Sequence, residues 1–291
     1  METAEIMLSP VEKADSERDA KIYKADALVQ KARYSLSVVE QRFVLYAISK
    51  IRQEDDAATV YTVNLGDFQR VCGTDSDESY SRIRAWIKNL ADKSWWMQDG
   101  RAETLVRWFS SVRMTRQSGI VEVKFHEEMF PHLFRLAEQM RENGQFYTSY
   151  TLRNVLPMKS TYSIRLYELL KSYQKNNRSW WFDLDRLRHL LDCENYQRFP
   201  DFRRYVLEPA EREINLYTDI KICMDLIRQG RKVVAIEFKM LEKNFTELVQ
   251  ANHVGLTELD GNIHYWDIRK ADAKNKVNQA VKGESSCESS T

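Results

Sequence analysis

YQRFPDFRRYVLEPAEREIN, residues 196–215, is the stretch that decides the fold. Its apolar residues Phe202, Val206, Ala210 and Ile214 recur every four positions, which predicts a helix with one buried stripe. Pro200 suits the first turn, because the N–H that proline lacks is unpaired there in any helix. Three arginines gather at the N-terminal end, where the helix dipole is positive: Arg198, Arg203 and Arg204. A DNA-reading helix presents this end to the major groove, so we interpret the stretch as a candidate recognition helix; a solvated surface helix is the alternative.

The charge of the chain is unevenly distributed. At 291 residues, with 43% hydrophobic and 30% charged residues, the chain has the composition of a soluble protein of about two domains. Its formal net charge is only +1, yet residues 153–240 hold 17 basic and 12 acidic side chains, whereas residues 1–19 hold two and six. Because electrostatic affinity for DNA depends on the local patch, the second half suits a nucleic-acid partner.

Missing patterns disfavour several classes of protein. The sequence contains neither a G-x-x-x-x-G-K-[ST] phosphate loop nor a G-x-G-x-x-G turn, and its four cysteines form no C-x-x-C pair. Its histidines are scattered and its carboxylates show no converging pattern, so we predict a non-enzymatic protein without cofactor or metal. No apolar run reaches the ~18 residues of a membrane helix, and the acidic N-terminus is not a signal peptide. We therefore expect a cytoplasmic protein with no membrane partner.

The same order of elements is predicted twice. The first pass comprises a helix, a strand, a short helix, a second helix and a hairpin at residues 34–51, 60–64, 65–73, 77–90 and 105–125. The second pass repeats them at residues 162–175, 179–183, 184–192, 196–215 and 219–240. Asn64 and Asp183, both good helix N-caps, start the short helices 119 residues apart, and Gly119 and Gly230 mark the hairpin turns 111 residues apart.

This order is that of a winged helix, a helix-turn-helix followed by a hairpin wing. The repeat therefore predicts an α+β fold of two tandem winged-helix domains. In the first recognition helix, residues 78–90, the positions left for DNA are Ser79, Arg82, Arg84 and Lys88. The wing residues expected to contact phosphates are Arg113, Arg116, Arg231 and Lys232. Two such helices about 34 Å apart would fit successive major grooves of a site of roughly 20 base pairs.

The division into domains follows from the repeat and from composition. We expect a mobile acidic N-terminal segment, a first winged-helix domain, a second winged-helix domain and a disordered tail over residues 1–20, 21–148, 149–270 and 271–291. Residues 125–142 read as an extra helix that closes the first domain, and residues 143–155 as the linker, with the boundary near Ser149. Residues 241–268 suggest a further helix or short strand. Both chain ends are expected to be dispensable for the fold.

Four runs carry a resemblance to a known family: YSLSVVEQRFVLYAI (34–48), YSIRLYELLKSY (162–173), the stretch 196–215 and GRKVVAIEFKM (230–240). They resemble the iteron-binding plasmid replication initiator (Rep) proteins, the group that includes the F-plasmid initiator, over about residues 25–240. The resemblance implies two winged-helix domains related by pseudo-two-fold symmetry. It also implies an initiator that binds origin iterons as a monomer and helps open the duplex, and that binds an operator inverted repeat as a homodimer and represses its own promoter.

The resemblance further implies partners and site residues. The partners are double-stranded DNA, the host replication initiator, the replicative helicase and chaperones, in a bacterial cytoplasm. The family's base-contacting arginines match Arg198 and Arg204, whereas a third basic position of its F-type members corresponds to Tyr205. The family's dimer contact lies in the first domain, which makes the strands of residues 105–125 the candidates here. A tandem winged-helix repressor without an origin role, or a protein-interaction module, stands as the alternative.

Overall fold

The first winged helix lies in the N-terminal half of the computed structural model, which describes residues 9–73, 80–99, 101–115, 118–175 and 177–262. The helices of this half are α1 (Pro10–Arg18), α2 (Asp26–Lys31), α3 (Val38–Ile48), α4 (Leu65–Cys72), α5 (Tyr80–Asp92), α6 (Phe130–Leu133) and α7 (Leu136–Asn143). Its strands are β1 (Lys21–Ala25), β2 (Tyr61–Asn64), β3 (Ser94–Asp99), β4 (Ala102–Arg107), β5 (Phe109–Thr115), β6 (Ile120–Phe125) and β7 (Tyr147–Thr151). The winged helix consists of α3, β2, α4, α5 and the β5–β6 hairpin, whose strands form an antiparallel sheet in the order β2-β6-β5.

The second winged helix repeats this plan. Its elements are α8 (Thr161–Gln174), β8 (Ser179–Asp183), α9 (Leu184–Leu190), α10 (Phe199–Phe202), a π-helical segment (Arg203–Leu207), α11 (Glu208–Tyr217), β9 (Ile220–Gln229) and β10 (Lys232–Glu242). The sheet order β8-β10-β9 matches β2-β6-β5 element for element. The predicted α+β fold of two tandem winged helices is confirmed.

Local sequence explains where the main helices of the first half begin and end. At the start of α3, the Ser37 hydroxyl and the Glu40 carboxylate form a capping box. The predicted cap at Asn64 is present, because its side-chain oxygen accepts from the N–H groups at the start of α4. Asp183 occupies the same position before α9, but its side chain makes no cap hydrogen bond there. Gly73 ends α4 at φ 60°, a left-handed conformation that glycine adopts without strain.

The tryptophan pairs follow the alternation of a strand. Trp95 is buried in the core from β3, whereas 60% of Trp96 is exposed. On β8, Trp180 stacks on Tyr173 with ring centroids 4.1 Å apart, and 57% of Trp181 is exposed. Successive side chains of a strand point to opposite faces, so one indole of each pair packs inward and the other faces outward.

A buried tryptophan divides the hairpin that the sequence predicts at residues 105–125. Trp108 has no exposed surface and lies against Tyr34 and Trp95, with centroids 5.0 and 5.1 Å apart. Burial of this side chain separates β4 from β5, so β4 pairs with β3 and the wing comprises β5 and β6 alone. The strand prediction is therefore corrected to two consecutive hairpins.

The N-terminal helix α1 is an integral part of the first helix-turn-helix. Arg18 is completely buried, and its Nε and Nη2 donate to the carbonyls of Val71 and Arg70 at 3.0 and 2.8 Å. Arg42 donates to the next carbonyl, that of Cys72, at 3.3 Å. Two guanidinium groups thus satisfy the free carbonyls at the end of α4. Residues 10–18, expected in a mobile and dispensable segment, form a packed helix instead.

The segment between the two winged helices also differs from its prediction. The single helix expected at residues 125–142 is a 3-10 turn followed by α6 and α7, which are separated at Arg135 because its backbone is left-handed, with φ 48°. Within the expected linker, residues 147–151 form β7, which pairs antiparallel with β1. The boundary proposed near Ser149 falls inside this strand, where Ser149 lies opposite Tyr23.

A buried ionic cluster connects β1, β7 and α8. Lys24 and Glu168 are both almost completely buried, and the ammonium Nζ lies 2.6 Å from the carboxylate Oε1. The same carboxylate accepts a short hydrogen bond from the Tyr150 hydroxyl and lies 3.4 Å from the guanidinium of Arg165. Arg165 also donates to the Tyr34 hydroxyl at 2.7 Å. The cluster therefore links β1 and β7 of the N-terminal half to α8, the leading helix of the second winged helix.

The last described helix, α12 (Phe245–Asn262), corresponds to the further element expected at residues 241–268. It packs against α11 and reaches back to the first winged helix. A Cβ at Gly73 would lie 2.8 Å from the carbonyl oxygen of Leu259, closer than van der Waals contact permits. Gly73 is thus required both for its left-handed backbone and for this close approach.

We predict that Arg18→Ala lowers the free energy of unfolding by about 2–3 kcal/mol, because two buried carbonyls lose a charged donor. Lys13→Ala is the matched control, since the Lys13 ammonium pairs with Asp67 at 2.7 Å from an α1 position that is 52% exposed. That change should cost under about 1 kcal/mol. Urea denaturation followed by tryptophan fluorescence measures both, and equal losses would contradict the capping role of Arg18.

Candidate nucleic-acid interface

The third helix of the second winged helix exposes three arginines at its N-terminal half. Arg198 occupies the N-cap position of α10, with its Nε 3.8 Å from Asp201, and Arg203 pairs with Glu208 at 2.9 Å. Both pairs lie on the surface, where an ion pair contributes little and is readily exchanged for another partner. Arg204 is exposed and makes no ion pair with any residue that the structure describes. These three side chains are available to an anionic ligand.

A π-helical segment carries Arg203, Arg204 and the exposed Tyr205. Pro209 has no N–H to offer the Tyr205 carbonyl four residues earlier, and its ring crowds that carbonyl. The helix widens just before the proline, and the Glu208 N–H donates to the Arg203 carbonyl five residues back. The segment therefore changes the direction in which these side chains leave the helix axis.

The third helix of the first winged helix, α5, presents a second basic face. Ile83, Ile87 and Leu90 are buried. The predicted contact residues Arg82, Arg84 and Lys88 alternate with them and are exposed. Lys88 lies 3.3 Å from Asp92 in a surface pair, and Arg84 forms no ion pair within the described part of the chain. Ser79 lies outside the described residues.

The second wing carries a basic tip. Gly230, at φ 62°, allows the tight turn between β9 and β10, and nothing within 4 Å restricts the position of its missing Cβ. Arg231 and Lys232 are exposed beside it, as predicted. Arg228 is a third exposed cation at this tip, and its Nη1 donates to the Arg231 carbonyl at 3.5 Å. Arg228 was not predicted from the sequence, although its position two residues before a hairpin glycine is a signal for a wing tip.

The first wing is less strongly basic. Arg113 is exposed on β5 and lies 3.5 Å from Glu122 on β6, directly opposite it in the sheet. Arg116 lies outside the described residues. Of the two predicted cations of this wing, the structure therefore places Arg113 on the surface, next to a carboxylate that partly offsets its charge.

The described residues show neither a metal site nor a membrane-spanning helix. No group of three or more histidine, cysteine, aspartate or glutamate side chains in the described ranges is placed to hold a metal ion. No described helix combines the length and apolarity needed to cross a bilayer. The geometry of this surface consists of two exposed helices with basic residues, each followed by a wing, which is the arrangement by which winged helices contact DNA grooves and phosphates.

Fold and surface together define a protein of the tandem winged-helix class. The family described as "Initiator Replication protein, WH1" matches residues 21–171, and that described as "Initiator Rep protein, WH2" matches residues 183–240. The chain belongs to this family of replication initiators. The resemblance that the four sequence runs carry is thereby confirmed.

The chain is also similar to individual proteins. A replication initiation protein of Escherichia coli is 22% identical over 254 residues, which cover 83% of this chain and 73% of that protein. An uncharacterized 27.6 kDa protein of Escherichia coli is 21% identical over 235 residues, 74% of this chain and 93% of its own length. Among solved structures, the Pi initiator protein in complex with iteron DNA superposes with a TM-score of 0.54 at 18% identity, covering 78% of this chain and 99% of that one. That structure supports the fold of two winged helices.

We predict that Arg231→Ala weakens binding to all DNA sequences alike and lowers the slope of log affinity against log salt concentration by about one, because one phosphate contact is lost. Arg52→Ala is the control, since Arg52 is exposed in the loop that follows α3. Titrations of a labelled duplex at several salt concentrations measure the slope. An unchanged slope in Arg231→Ala would remove the second wing from the interface.

Proposed function

We propose that this protein is a sequence-specific DNA-binding initiator of plasmid replication that binds iteron repeats at the origin as a monomer. The observation that carries the proposal is the exposed Arg204, which forms no ion pair with the described residues, on the third helix of a winged helix in a chain of the replication initiator family. The solved initiator with a similar fold is in complex with iteron DNA. Guanine O6 and N7 form the pair of acceptors that an arginine recognises in the major groove.

The recognition helices and the wings have different roles in this proposal. The recognition helices face base edges and nearby phosphates. The residues that do so are Arg198, Arg203, Arg204 and Tyr205 on the second winged helix, and Arg82, Arg84 and Lys88 on the first. The wing residues Arg113, Arg228, Arg231 and Lys232 contact phosphates only. Phosphate contacts supply affinity without sequence information, whereas base contacts supply specificity. Ser79 and Arg116 belong to the same two sets by their sequence positions.

The proposed initiator also regulates its own synthesis. In this role a homodimer binds an operator inverted repeat at its own promoter and represses transcription. By the same resemblance, its protein partners are the host replication initiator, the replicative helicase and the chaperones that shift dimer to monomer. A repressor without an origin role would use the same DNA-binding residues. The discriminating experiment is replication of a plasmid that carries only the origin while the protein is supplied from a second plasmid.

Arg204→Ala should lose about 1–3 kcal/mol of binding free energy on the specific site, with little change on random DNA. Arg212→Ala is the matched control, because Arg212 is also exposed but lies two turns later on α11, towards the C-terminal end of the same helix. Competition binding against both DNAs gives the two values. Equal losses on specific and random DNA would make Arg204 a phosphate contact, and absence of salt-dependent binding would favour a protein-interaction module.

The β3–β4 hairpin is the proposed dimer contact. Trp96 and Leu105 lie directly opposite each other on its outer face, and 60% and 45% of their surfaces are exposed. Exposed apolar pairs on a short sheet with free edges favour pairing with a second chain. Leu105 belongs to the strands predicted for the dimer contact, and this proposal adds Trp96 from the preceding strand.

We predict that Trp96→Ser shifts the protein to a monomer without loss of fold. Trp181→Ser is the matched control, because Trp181 is a similarly exposed tryptophan, at 57%, on strand β8 of the second winged helix. Sedimentation velocity over a range of concentrations measures both variants against the unmodified protein. A dimer that persists in Trp96→Ser would place the contact elsewhere, and a monomer at every concentration of the unmodified protein would contradict dimerisation itself.

A further inference from the structure

Tyr205 is a large aromatic side chain exposed in the middle of the candidate recognition helix. Its exposed fraction is 51%, and it lies in the π-helical segment next to the buried Val206. The neighbouring exposed positions Arg203, Arg204 and Glu208 are charged. Solvation explains charged residues on such a face but does not explain a half-exposed phenol ring, which has apolar surface to cover.

Two further tyrosines hold the Tyr205 ring in place. Tyr196 lies beside it with centroids 6.0 Å apart and a 30° angle between the rings. Tyr162, at the start of α8, meets Tyr196 edge to face at 6.2 Å and 86°. Burial, reinforced by Tyr196, raises the pKa of the Tyr162 phenol, so this supporting ring stays protonated and uncharged at neutral pH. A ring restrained in this way loses little further freedom when a ligand covers it.

Tyr205 and Arg204 form a unit. The Arg204 guanidinium carbon lies 5.3 Å from the centroid of the Tyr205 ring, within the range of a cation–π contact. The widened backbone ahead of Pro209 carries both side chains. An arginine that has no carboxylate partner among the described residues and a braced apolar ring are therefore presented side by side on one surface.

The major groove contains a matching pair of features. Guanine presents the acceptors O6 and N7 to an arginine, and thymine is the base that presents a methyl group. We propose that Tyr205 determines specificity by packing its ring on the 5-methyl group of a thymine next to the guanine that Arg204 contacts. The inference rests on the proposed function, because it requires this helix to lie in the major groove.

The Tyr205 hydroxyl offers a different contact, a hydrogen bond to a phosphate oxygen. Such a contact would be independent of sequence, whereas a methyl contact depends on one base. The braced ring and its guanidinium neighbour favour the methyl contact, since both restrict the ring rather than the hydroxyl. Tyr205→Phe separates the two, because it removes the hydroxyl and keeps the ring.

The test begins with selection of binding sites from random duplexes by the full-length protein. Each thymine of the selected site is then replaced, one at a time, by deoxyuridine, which lacks only the methyl group. The unmodified protein should bind about fourfold more weakly at one such position, the factor expected for one buried methyl group. Tyr205→Phe should keep this fourfold difference, and Tyr205→Ala should bind thymine and deoxyuridine equally there. Tyr23→Ala, an exposed tyrosine of the first half, is the control that keeps the difference.

Each outcome has a separate meaning. A fourfold difference that survives in Tyr205→Ala overturns the inference while the proposed function stands, and so does loss of the difference in Tyr205→Phe. A merely structural role for Tyr205 would weaken binding at every base alike and leave the difference unchanged. If the unmodified protein selects no sequence at all, the proposed function itself fails.

Discussion

The Glu168 carboxylate, buried where α8 meets β1 and β7, is the charge on which the arrangement of the two winged helices depends. Burial alone would raise the pKa of Glu168, but the neighbouring Lys24 and Arg165 reverse the shift and lower it, so the group is ionised. A buried carboxylate is tolerated only with such partners, and removal of one of them leaves an uncompensated charge. Because Lys24 belongs to the first half and Glu168 to the second, separation of the halves would expose or unpair both. In the proposed function, two recognition helices act on one duplex and need a defined separation, which this cluster would restrain.

Local sequence patterns predicted most of the elements but few of the contacts between distant segments. The repeat and the cap at Asn64 both depend on neighbouring residues, and the structure agrees with them. The errors concern pairings across long stretches of chain. The strand at residues 147–151 was expected as a linker because its small polar residues lack a strong strand pattern, and its partner β1 lies far earlier in the sequence. Arg18 was assigned to an acidic mobile segment because its acceptors, the carbonyls at the end of α4, become visible only in three dimensions.

The exposed residues of the candidate interface were more predictable than the pairings between distant segments, because the helical period determines which residues of a helix are exposed. The π-helical segment was not foreseen, although the sequence contains its signal. Four residues of an α-helix turn through about 400°, so a strict spacing of four drifts by about 40° at each step. The stripe from Phe202 to Ile214 nevertheless stays buried. The wider turn ahead of Pro209 rotates less per residue and offsets this drift. An apolar spacing of four that continues past a proline is therefore a pattern that predicts such a segment.

The small net charge of the protein hides a division of its cations between the interior and the surface. Arg18, Arg42 and Arg165 are buried and donate to carbonyls or to the Tyr34 hydroxyl, so their charges serve the fold and are hidden from a ligand. Many surface carboxylates lie beside other lysines and arginines, which brings the total close to zero. In the proposed function, a duplex at the third helices and the second wing would meet Arg84, Arg204 and the cations of the wing tip, not the average charge of the chain. Since counterion release depends on the cations at the phosphates, a chain of net charge +1 is compatible with strongly salt-dependent binding.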